Sequence, residues 1–308
     1  MSAKIFIDGE SGTTGLGIRR RLEAYPDVEL LALPPEQRKD ASAKKAVMEC
    51  ADIIVLCLPD EGARETVAIA TGMGDKSPRI LDASTVHRVA EGWIYGFPEL
   101  APGQAEAIAG AQHVANPGCY ATGAIALLRP LVDKGLLPAD FPISIHAVSG
   151  YSGGGKSMIA SYERGESPAF EAYALGLEHK HVPEIERYAR LVRRPIFAPS
   201  VGNFAQGMLV CVPLFLSDLP HKPKGADLEA VLAAHYAPSV FVKVTPAEPS
   251  GKMEPQSLNG TNDLELRVFA NDARGHAILV AKLDNLGKGA SGAALQNIEL
   301  MLSRSLQN

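Results

Sequence analysis

The start of the chain constrains the fold more than any other stretch. Lys4–Asp8 is a short apolar run, Gly9-Glu10-Ser11-Gly12-Thr13-Thr14-Gly15 follows at once, and the segment from Leu16 to Tyr25 then carries apolar residues at positions 18 and 22. Those three patterns predict a strand, a glycine-rich loop and a helix. Glycines spaced in this way permit a tight turn and let backbone approach a pyrophosphate. They also set that anion at a helix N-terminus, where N–H groups and the helix dipole favour it. A glycine-rich turn that binds nothing is the alternative, and the strand before it and helix after it favour dinucleotide binding. Gly9, Ser11, Gly12, Thr13, Thr14 and Gly15 are the expected contacts.

The same alternation continues. Val28–Leu33, Asp52–Leu58, Ile80–Asp82 and His113–Ala115 read as further strands, and the apolar run within Asp52–Leu58 suits a parallel strand covered on both faces. The expected architecture is α/β, with a doubly wound nucleotide-binding domain and right-handed crossovers. From about residue 120 the texture changes. A helix over Ala121–Lys134 leads to strands near Ile143–Ser149, Pro195–Ala198, Gln206–Pro213, Phe241–Val244 and Leu264–Ala270. These strands are amphipathic or edge-like, which predicts a second α/β domain containing a mixed or antiparallel sheet. A last helix, roughly Gly289–Leu306, returns to the first domain, giving expected boundaries of 1–118 plus 285–308 and 119–284. Pro246–Thr261, rich in Pro, Gly and Ser, reads as a long surface loop.

Composition narrows the function. A chain of 308 residues, 46% hydrophobic and 21% charged, holds enough apolar material for one large or two modest domains. A formal charge of −5 provides no basic stripe for a nucleic-acid backbone. The N-terminus runs straight into a strand without a secretory leader pattern, and the longest apolar runs fall well short of the roughly 20 residues of a membrane span. A cytoplasmic protein with no nucleic-acid or membrane partner is expected.

The type of dinucleotide is partly legible. An NAD-type fold usually ends its second strand on an acidic residue that holds the ribose 2′-hydroxyl. Here that position reads Leu33-Pro34-Pro35, with Arg38 and Lys39 just beyond. No carboxylate there repels a 2′-phosphate, so NADP is expected, with Arg38 as a contact; solvated helix charges are the other reading of the two cations.

Four cysteines, Cys50, Cys57, Cys119 and Cys211, show no metal-ligand or CxxC spacing. Cys57 falls in the apolar strand run, Cys211 inside Met208–Pro213, and Cys50 at the end of a helix-like segment, all settings where a cysteine is an inert small hydrophobe. Cys119, in Asn116-Pro117-Gly118-Cys119-Tyr120-Ala121-Thr122-Gly123, lies where a turn feeds a helix. A helix N-terminus lowers a thiol pKa and supplies thiolate for nucleophilic attack. The segment Val148–Lys156 is too rich in glycine for regular structure and offers N–H groups, two hydroxyls and an ammonium, a set that suits a small phosphate or an acyl phosphate. A flexible hairpin with an exposed lysine is an equal reading of it. His179-Lys180-His181-Val182-Pro183-Glu184 places two imidazoles and a carboxylate before a helix. Such a pair is half of a metal site or a general base with an orienting carboxylate. No third ligand cluster is evident, so no metal is expected.

Together DGESGTTGLGIRRRL, ADIIVLCLPD, LDASTVHR, YGFPEL, HVANPGCYATG, SGYSGGGK, HKHVPEIE and LDNLGKGASGAALQNIEL resemble the short-chain form of the N-acetyl-gamma-glutamyl-phosphate reductases over nearly the whole chain. LDASTVHRVAEG is shorter than the corresponding stretch of longer relatives, and the aspartate-semialdehyde dehydrogenases share the glycine loop and the cysteine logic. The resemblance implies a nucleotide-binding domain, a catalytic and oligomerising domain, NADP, and an acyl-phosphate substrate attacked by Cys119. It adds Pro59, Ser84 and Asn285 to the expected cofactor contacts, and Asn116, Ser149, Gly150, Ser152, Lys156 and Glu184 to the substrate contacts. Rival readings are an aspartate-semialdehyde dehydrogenase and an NADP-binding sensor without turnover. If residues 179–181 are extended, the two histidines point to opposite sides and only one faces Cys119. His181, fixed beside Pro183 and oriented by Glu184, is the expected proton carrier, with His179 holding a substrate anion.

Overall fold

A computed structural model describes residues 2–303; the part of the expected last helix beyond residue 303 lies outside them. The strands are β1 (Ala3–Asp8), β2 (Val28–Leu31), β3 (Ile53–Leu56), β4 (Arg79–Asp82), β5 (Ile94–Tyr95), β6 (His113–Ala115), β7 (Ser144–Gly150), β8 (Phe170–Ala172), β9 (Ile196–Gly202), β10 (Met208–Phe215), β11 (Val242–Val244), β12 (Leu264–Asn271) and β13 (His276–Leu283). The α-helices are α1 (Thr13–Leu22), α2 (Ala41–Met48), α3 (Asp60–Thr71), α4 (Gln104–Gly110), α5 (Cys119–Asp133), α6 (Gly155–Glu163), α7 (Val182–Tyr188), α8 (Gly225–Tyr236) and α9 (Gly292–Met301). Residues up to Pro117 together with those from Ala290 on form one compact unit, and Gly118–Gly289 the other.

In the first unit six parallel strands run in the order β2-β1-β3-β4-β6-β5. Alternation along the strands divides the core between two faces. Ile5, Ile7, Ile53, Val55, Leu81 and Val114 pack with Ile18 and Leu22 of α1, Ile108 of α4, and Ala294, Ile298 and Met301 of α9. Phe6, Ile54, Leu56 and Ile80 pack on the other face with Met48 of α2 and Ala63 and Ala70 of α3. The sheet is therefore doubly wound. The chain leaves β1 toward β2 on one side and toward β3 on the other, and a switch of this kind places a ligand crevice at the carboxyl ends of β1 and β3. Cys57 lies one residue beyond β3, not inside it, and Cys50 is exposed beyond the end of α2.

The second unit has seven strands in the order β11-β12-β13-β10-β7-β9-β8. β7 with β9 and β11 with β12 are parallel, and the remaining neighbours are antiparallel, so the sheet is mixed. α5 packs on β10 and β13, α8 on β11 and β12, and α7 and α8 on α5. Tyr120 through Leu131 of α5 are all buried. β13, an inner strand between β12 and β10, is absent from the sequence expectation; its continuous apolar run Ala277-Ile278-Leu279-Val280-Ala281 fits a buried strand and a buried helix segment alike. The stretch after Gly150 is also more regular than its glycines suggest, with a 3-10 turn over Tyr151–Gly154 leading into α6. No helix among the described residues is long and apolar enough to cross a membrane.

Candidate active site

Cys119 is the first residue of α5, with Gly118 as its N-cap in extended conformation, and it is partly exposed. A thiol here meets the positive end of a 15-residue helix. The Gly118 N–H is not open to a ligand, because it donates to Glu184 Oε2 at 2.9 Å. Glu184, in the first turn of α7 and 1% exposed, thus caps the helix that carries the cysteine. This contact with the α5 start is a role for Glu184 in addition to the one expected of it beside His181. The amides that find no acceptor inside an α-helix are those of its first turn, which is why an anion suits the start of α5. Glu184→Ala leaves a buried N–H without its acceptor and is expected to lower unfolding stability by about 1–3 kcal/mol. Glu184→Gln keeps an acceptor and should lose clearly less, which thermal or urea unfolding of the two variants checks.

His179 and His181 do not diverge. His181 adopts a helical backbone conformation (φ −87°, ψ −13°) as the N-cap of α7, so the segment turns rather than extends. The two rings lie 4.7 Å apart, edge to face, and both rest on Tyr120, at 5.9 Å for His179 and 5.8 Å for His181. The chemical environments of the two differ. His179 Nδ1 accepts from the His181 backbone N–H at 3.1 Å, which fixes its lone pair on the main chain and its proton on Nε2. His181 is buried. Tyr120, next to the thiol, donates to Ser200 O at 2.9 Å and packs on Phe197. Burial keeps its phenol neutral by pushing its pKa far up, and burial likewise pushes Tyr173, whose hydroxyl donates to that of Tyr120 at 3.3 Å, up to about 12. Neither Tyr120 nor Tyr173 stands out in the sequence reading; an aromatic residue immediately after the cysteine was the available signal.

The loop after β7 is held by a second set of bonds. Asn285 Nδ2 donates to Ser152 Oγ at 2.9 Å, and Asn285 Oδ1 accepts from Gly207 N at 2.8 Å. Both polar ends of Asn285 are thus committed inside this unit, which makes it a support for the Ser152 loop. Ser149 Oγ donates to Gly150 O at 3.1 Å, and Gly150 and Ser152 bond through their N–H groups to Gly207 O and Ala205 O. Lys156 is exposed in the first turn of α6.

In the first unit the glycine loop has the steric form the sequence predicts. Gly9 has φ +89°, and a Cβ there would lie 2.4 Å from Cys57 O; a Cβ on Gly15 would lie 2.6 Å from Gly9 O. Gly9→Ala is therefore expected to distort the loop and to weaken nucleotide binding at least 10-fold, measured by calorimetric titration. The loop closes through Gly12 N to Gly9 O at 3.0 Å, and α1 begins at Thr13, three residues before the expected Leu16. The first-turn amides of Thr13, Thr14 and Gly15 thus open toward the end of β1 where a phosphate would sit, and Ser11 is exposed at the loop tip. Pro59 is the N-cap of α3. Ser84 bonds Asp82 through its N–H at 2.8 Å and its hydroxyl at 2.7 Å, and His87 Nδ1 meets the same carboxylate at 2.5 Å. Arg38 Nη2 bonds Glu10 Oε1 at 2.7 Å, and Arg19 bonds the other oxygen of Glu10. The strand end lacks an acidic residue as expected, but Glu10, overlooked in the sequence, brings a carboxylate to Arg38 from the glycine loop. The Asn116 amide is consumed internally: Nδ2 donates to Ala290 O at 3.1 Å, and Oδ1 accepts from Asn297 Nδ2 at 3.0 Å.

Two of the other thiols have unfavourable surroundings for nucleophilic chemistry. Burial, with the Asp82 and Asp8 carboxylates, pushes Cys57 up to about 12, and burial raises Cys211. Among the described residues no group of three His, Cys, Asp or Glu side chains is placed to hold a metal ion.

Residues 119–285 match the family described as semialdehyde dehydrogenase, dimerisation domain. An aspartate semialdehyde dehydrogenase II from Vibrio cholerae superposes with a TM-score of 0.75 at 15% identity over 98% of this chain and 99% of that one. Aspartate semialdehyde dehydrogenase with NADP from Candida albicans reaches 0.67 at 15% identity over the same shares. At such identities the likeness is one of fold. Sequence relatives are far nearer: the N-acetyl-gamma-glutamyl-phosphate reductase of Chelativorans sp. (strain BNC1) is 56% identical over 98% of this chain and 99% of its own length. That of Brucella ovis is 53% identical over 99% and 100%. The chain belongs to the N-acetyl-gamma-glutamyl-phosphate reductase family.

Proposed function

We infer that the protein catalyses the NADPH-dependent reduction of N-acetyl-L-glutamyl 5-phosphate to N-acetyl-L-glutamate 5-semialdehyde and phosphate, a step of arginine biosynthesis in the cytoplasm, through a thioester on Cys119. The observation that carries the mechanism is a partly exposed thiol at the start of a buried helix, in a chain of this family. Cys119 Sγ attacks the acyl carbon, the C–O bond to phosphate breaks, and phosphate leaves. Amides of the first turn of α5 hold the oxyanion of the tetrahedral intermediate. When bound, NADPH supplies the hydride that reduces the thioester carbonyl. His181 gives a proton to the oxygen as hydride adds, forming the thiohemiacetal, and takes it back as the C–S bond breaks, which releases the semialdehyde and restores the thiolate. Lys156 and the hydroxyls of Ser149 and Ser152 supply ammonium and hydroxyl groups for the phosphate or carboxylate of the substrate, and Gly150, whose N–H bonds Gly207 O, shapes the loop that carries them. Asn116, Asn285 and Glu184 act through other groups, by holding the loops and the helix start.

The residues of the first unit fit a dinucleotide. The two glycines leave space for backbone approach, and the first turn of α1 opens onto the loop. With Arg38 placed beyond β2 and no acid at that strand end, NADPH should exceed NADH in kcat/KM by at least about 10-fold. Equal efficiencies would remove the reading. The activity itself is tested by phosphate-dependent NADP+ reduction with N-acetyl-glutamate 5-semialdehyde. If aspartate 4-semialdehyde is turned over as well as the N-acetylated compound, the aspartate-semialdehyde assignment wins.

In the second unit α5 and α8 pack on the sheet and on each other. Ile196, Phe215 and Ile278 share one face of that sheet by strand register and are 56%, 59% and 46% exposed. An apolar patch of this kind on a matched dimerisation domain supports self-association through the sheet. Ile278→Asp is expected to shift the protein toward monomer in analytical ultracentrifugation, and an unchanged sedimentation coefficient would place the interface elsewhere.

A further inference from the structure

Glu10 is the one carboxylate of the glycine loop, and its placement has a consequence for the nucleotide site that deepens, and rests on, the NADP reading above. Its two oxygens serve different arginines from different elements. Oε1 takes Arg38 Nη2 at 2.7 Å, from the connection after β2, and Oε2 takes Arg19 of α1. Arg19 Nε in turn bonds Glu23 Oε1 at 2.8 Å. Two guanidinium groups and two carboxylates make a cluster of zero net charge. Side-chain exposures are 41% for Arg38, 36% for Arg19 and 17% for Glu10. Pairs that wet are weak and exchange readily for another anion.

We propose that Glu10 is a specificity-determining residue that tunes NADP affinity: its carboxylate occupies the seat between Arg38 and Arg19 that the 2′-phosphate takes, and the phosphate must displace it from Arg38. Two guanidinium groups converging on one anion is the arrangement by which a phosphate is clamped. Arg38 stands where the fold brings the adenosine 2′ position, beyond the second strand. A dianionic phosphate entering this cluster meets a guanidinium already neutralised by Glu10, and a negative charge beside it. The carboxylate thus subtracts from NADP affinity, while a nucleotide with a plain 2′-hydroxyl feels no such competition. A cofactor held below its maximal affinity leaves faster after hydride transfer, which matters where product release limits turnover.

The opposite reading makes Glu10 a buttress that orders both arginines for the phosphate. The two readings differ in sign. Calorimetric titration of the full-length protein with adenosine 2′,5′-bisphosphate and with AMP separates them without turnover. Glu10→Gln should bind the bisphosphate about 3–10-fold tighter than the native chain, with AMP affinity unchanged, and the gain should shrink at high salt. Arg38→Ala should bind the bisphosphate more weakly. If Glu10→Gln weakens bisphosphate binding, leaves it unchanged, or alters AMP binding equally, while Arg38→Ala still loses the bisphosphate preference, the Glu10 proposal fails and the NADP reading stands. If the native chain and Arg38→Ala bind the two nucleotides alike, the NADP reading falls and Glu10 with it. Thermal melts of the variants confirm that they are folded.

Discussion

Cys119→Ala is expected to abolish phosphate-dependent turnover, with a loss on the order of 10⁴-fold or more, the scale reached when a covalent nucleophile is removed. The variant should fold, because Cys119 is partly exposed at a helix start whose cap, the bond between Gly118 N–H and Glu184, does not involve its side chain. It should also bind NADP, since the glycine loop belongs to the other compact unit. The three remaining thiols serve as internal controls. Cys57 has its thiol pushed up to about 12, Cys211 is raised by burial, and Cys50 is exposed on the unit that carries the nucleotide loop. Their single replacements by Ser or Ala should leave kcat within about 3-fold of the native value when the fold is retained. Quenching the native enzyme with acyl phosphate, without NADPH, should give an acyl adduct on the peptide that contains Cys119. Retention of more than a hundredth of native activity in Cys119→Ala, or an adduct on another cysteine, sinks the thioester mechanism.

What could be read from the sequence was local or periodic, and what could not was long-range. The β1–loop–α1 unit was legible because Gly9 and Gly15 answer steric demands set within a few residues of the loop and by the neighbouring strand. The doubly wound sheet followed from strand runs whose alternate residues serve two separate cores. Cys119 was legible because a turn followed by an apolar helical pattern marks a helix start from sequence alone. β13 was not, since a continuous apolar run of five residues fits a strand and a buried helix segment alike. The partner of Glu184, the Gly118 amide, is 66 residues away, and that of Glu10, Arg38, is 28 away. No periodicity encodes such pairs. The histidine geometry failed for a different reason: an extended segment was assumed up to Pro183, whereas His181 already has helical φ and ψ as the cap of α7. A one-residue shift in where a helix begins changes which side chains share a side.

That shift alters the argument for the proton carrier without changing its outcome. With both rings on Tyr120, position alone no longer separates His179 from His181. Hydrogen bonding does. A neutral imidazole that shuttles a proton needs one nitrogen lone pair open to the reacting group, and His179 gives its Nδ1 lone pair to the His181 N–H at 3.1 Å. Its Nε2 then carries the ring proton and can act only as a donor, the property expected of a group that holds a substrate oxygen. Protonating Nδ1 would break the bond that shapes the turn. His181 is thus expected to carry the proton, and His181→Asn should depress kcat by about 10²–10⁴-fold, the usual worth of a general acid–base group, with NADPH binding nearly unchanged. His179→Asn retains a side-chain acceptor and a donor of similar reach, so its main effect should be a raised KM for the acyl phosphate with kcat lowered less than 10-fold. The pH profile gives an independent readout. The limb of kcat that reports the proton carrier should vanish in His181→Asn and persist in His179→Asn. Both variants are to be assayed at saturating NADPH. A large loss of kcat in His179→Asn, with near-normal kcat and an intact pH limb in His181→Asn, would reverse the two roles and leave the Nδ1 contact as no more than a brace for the turn.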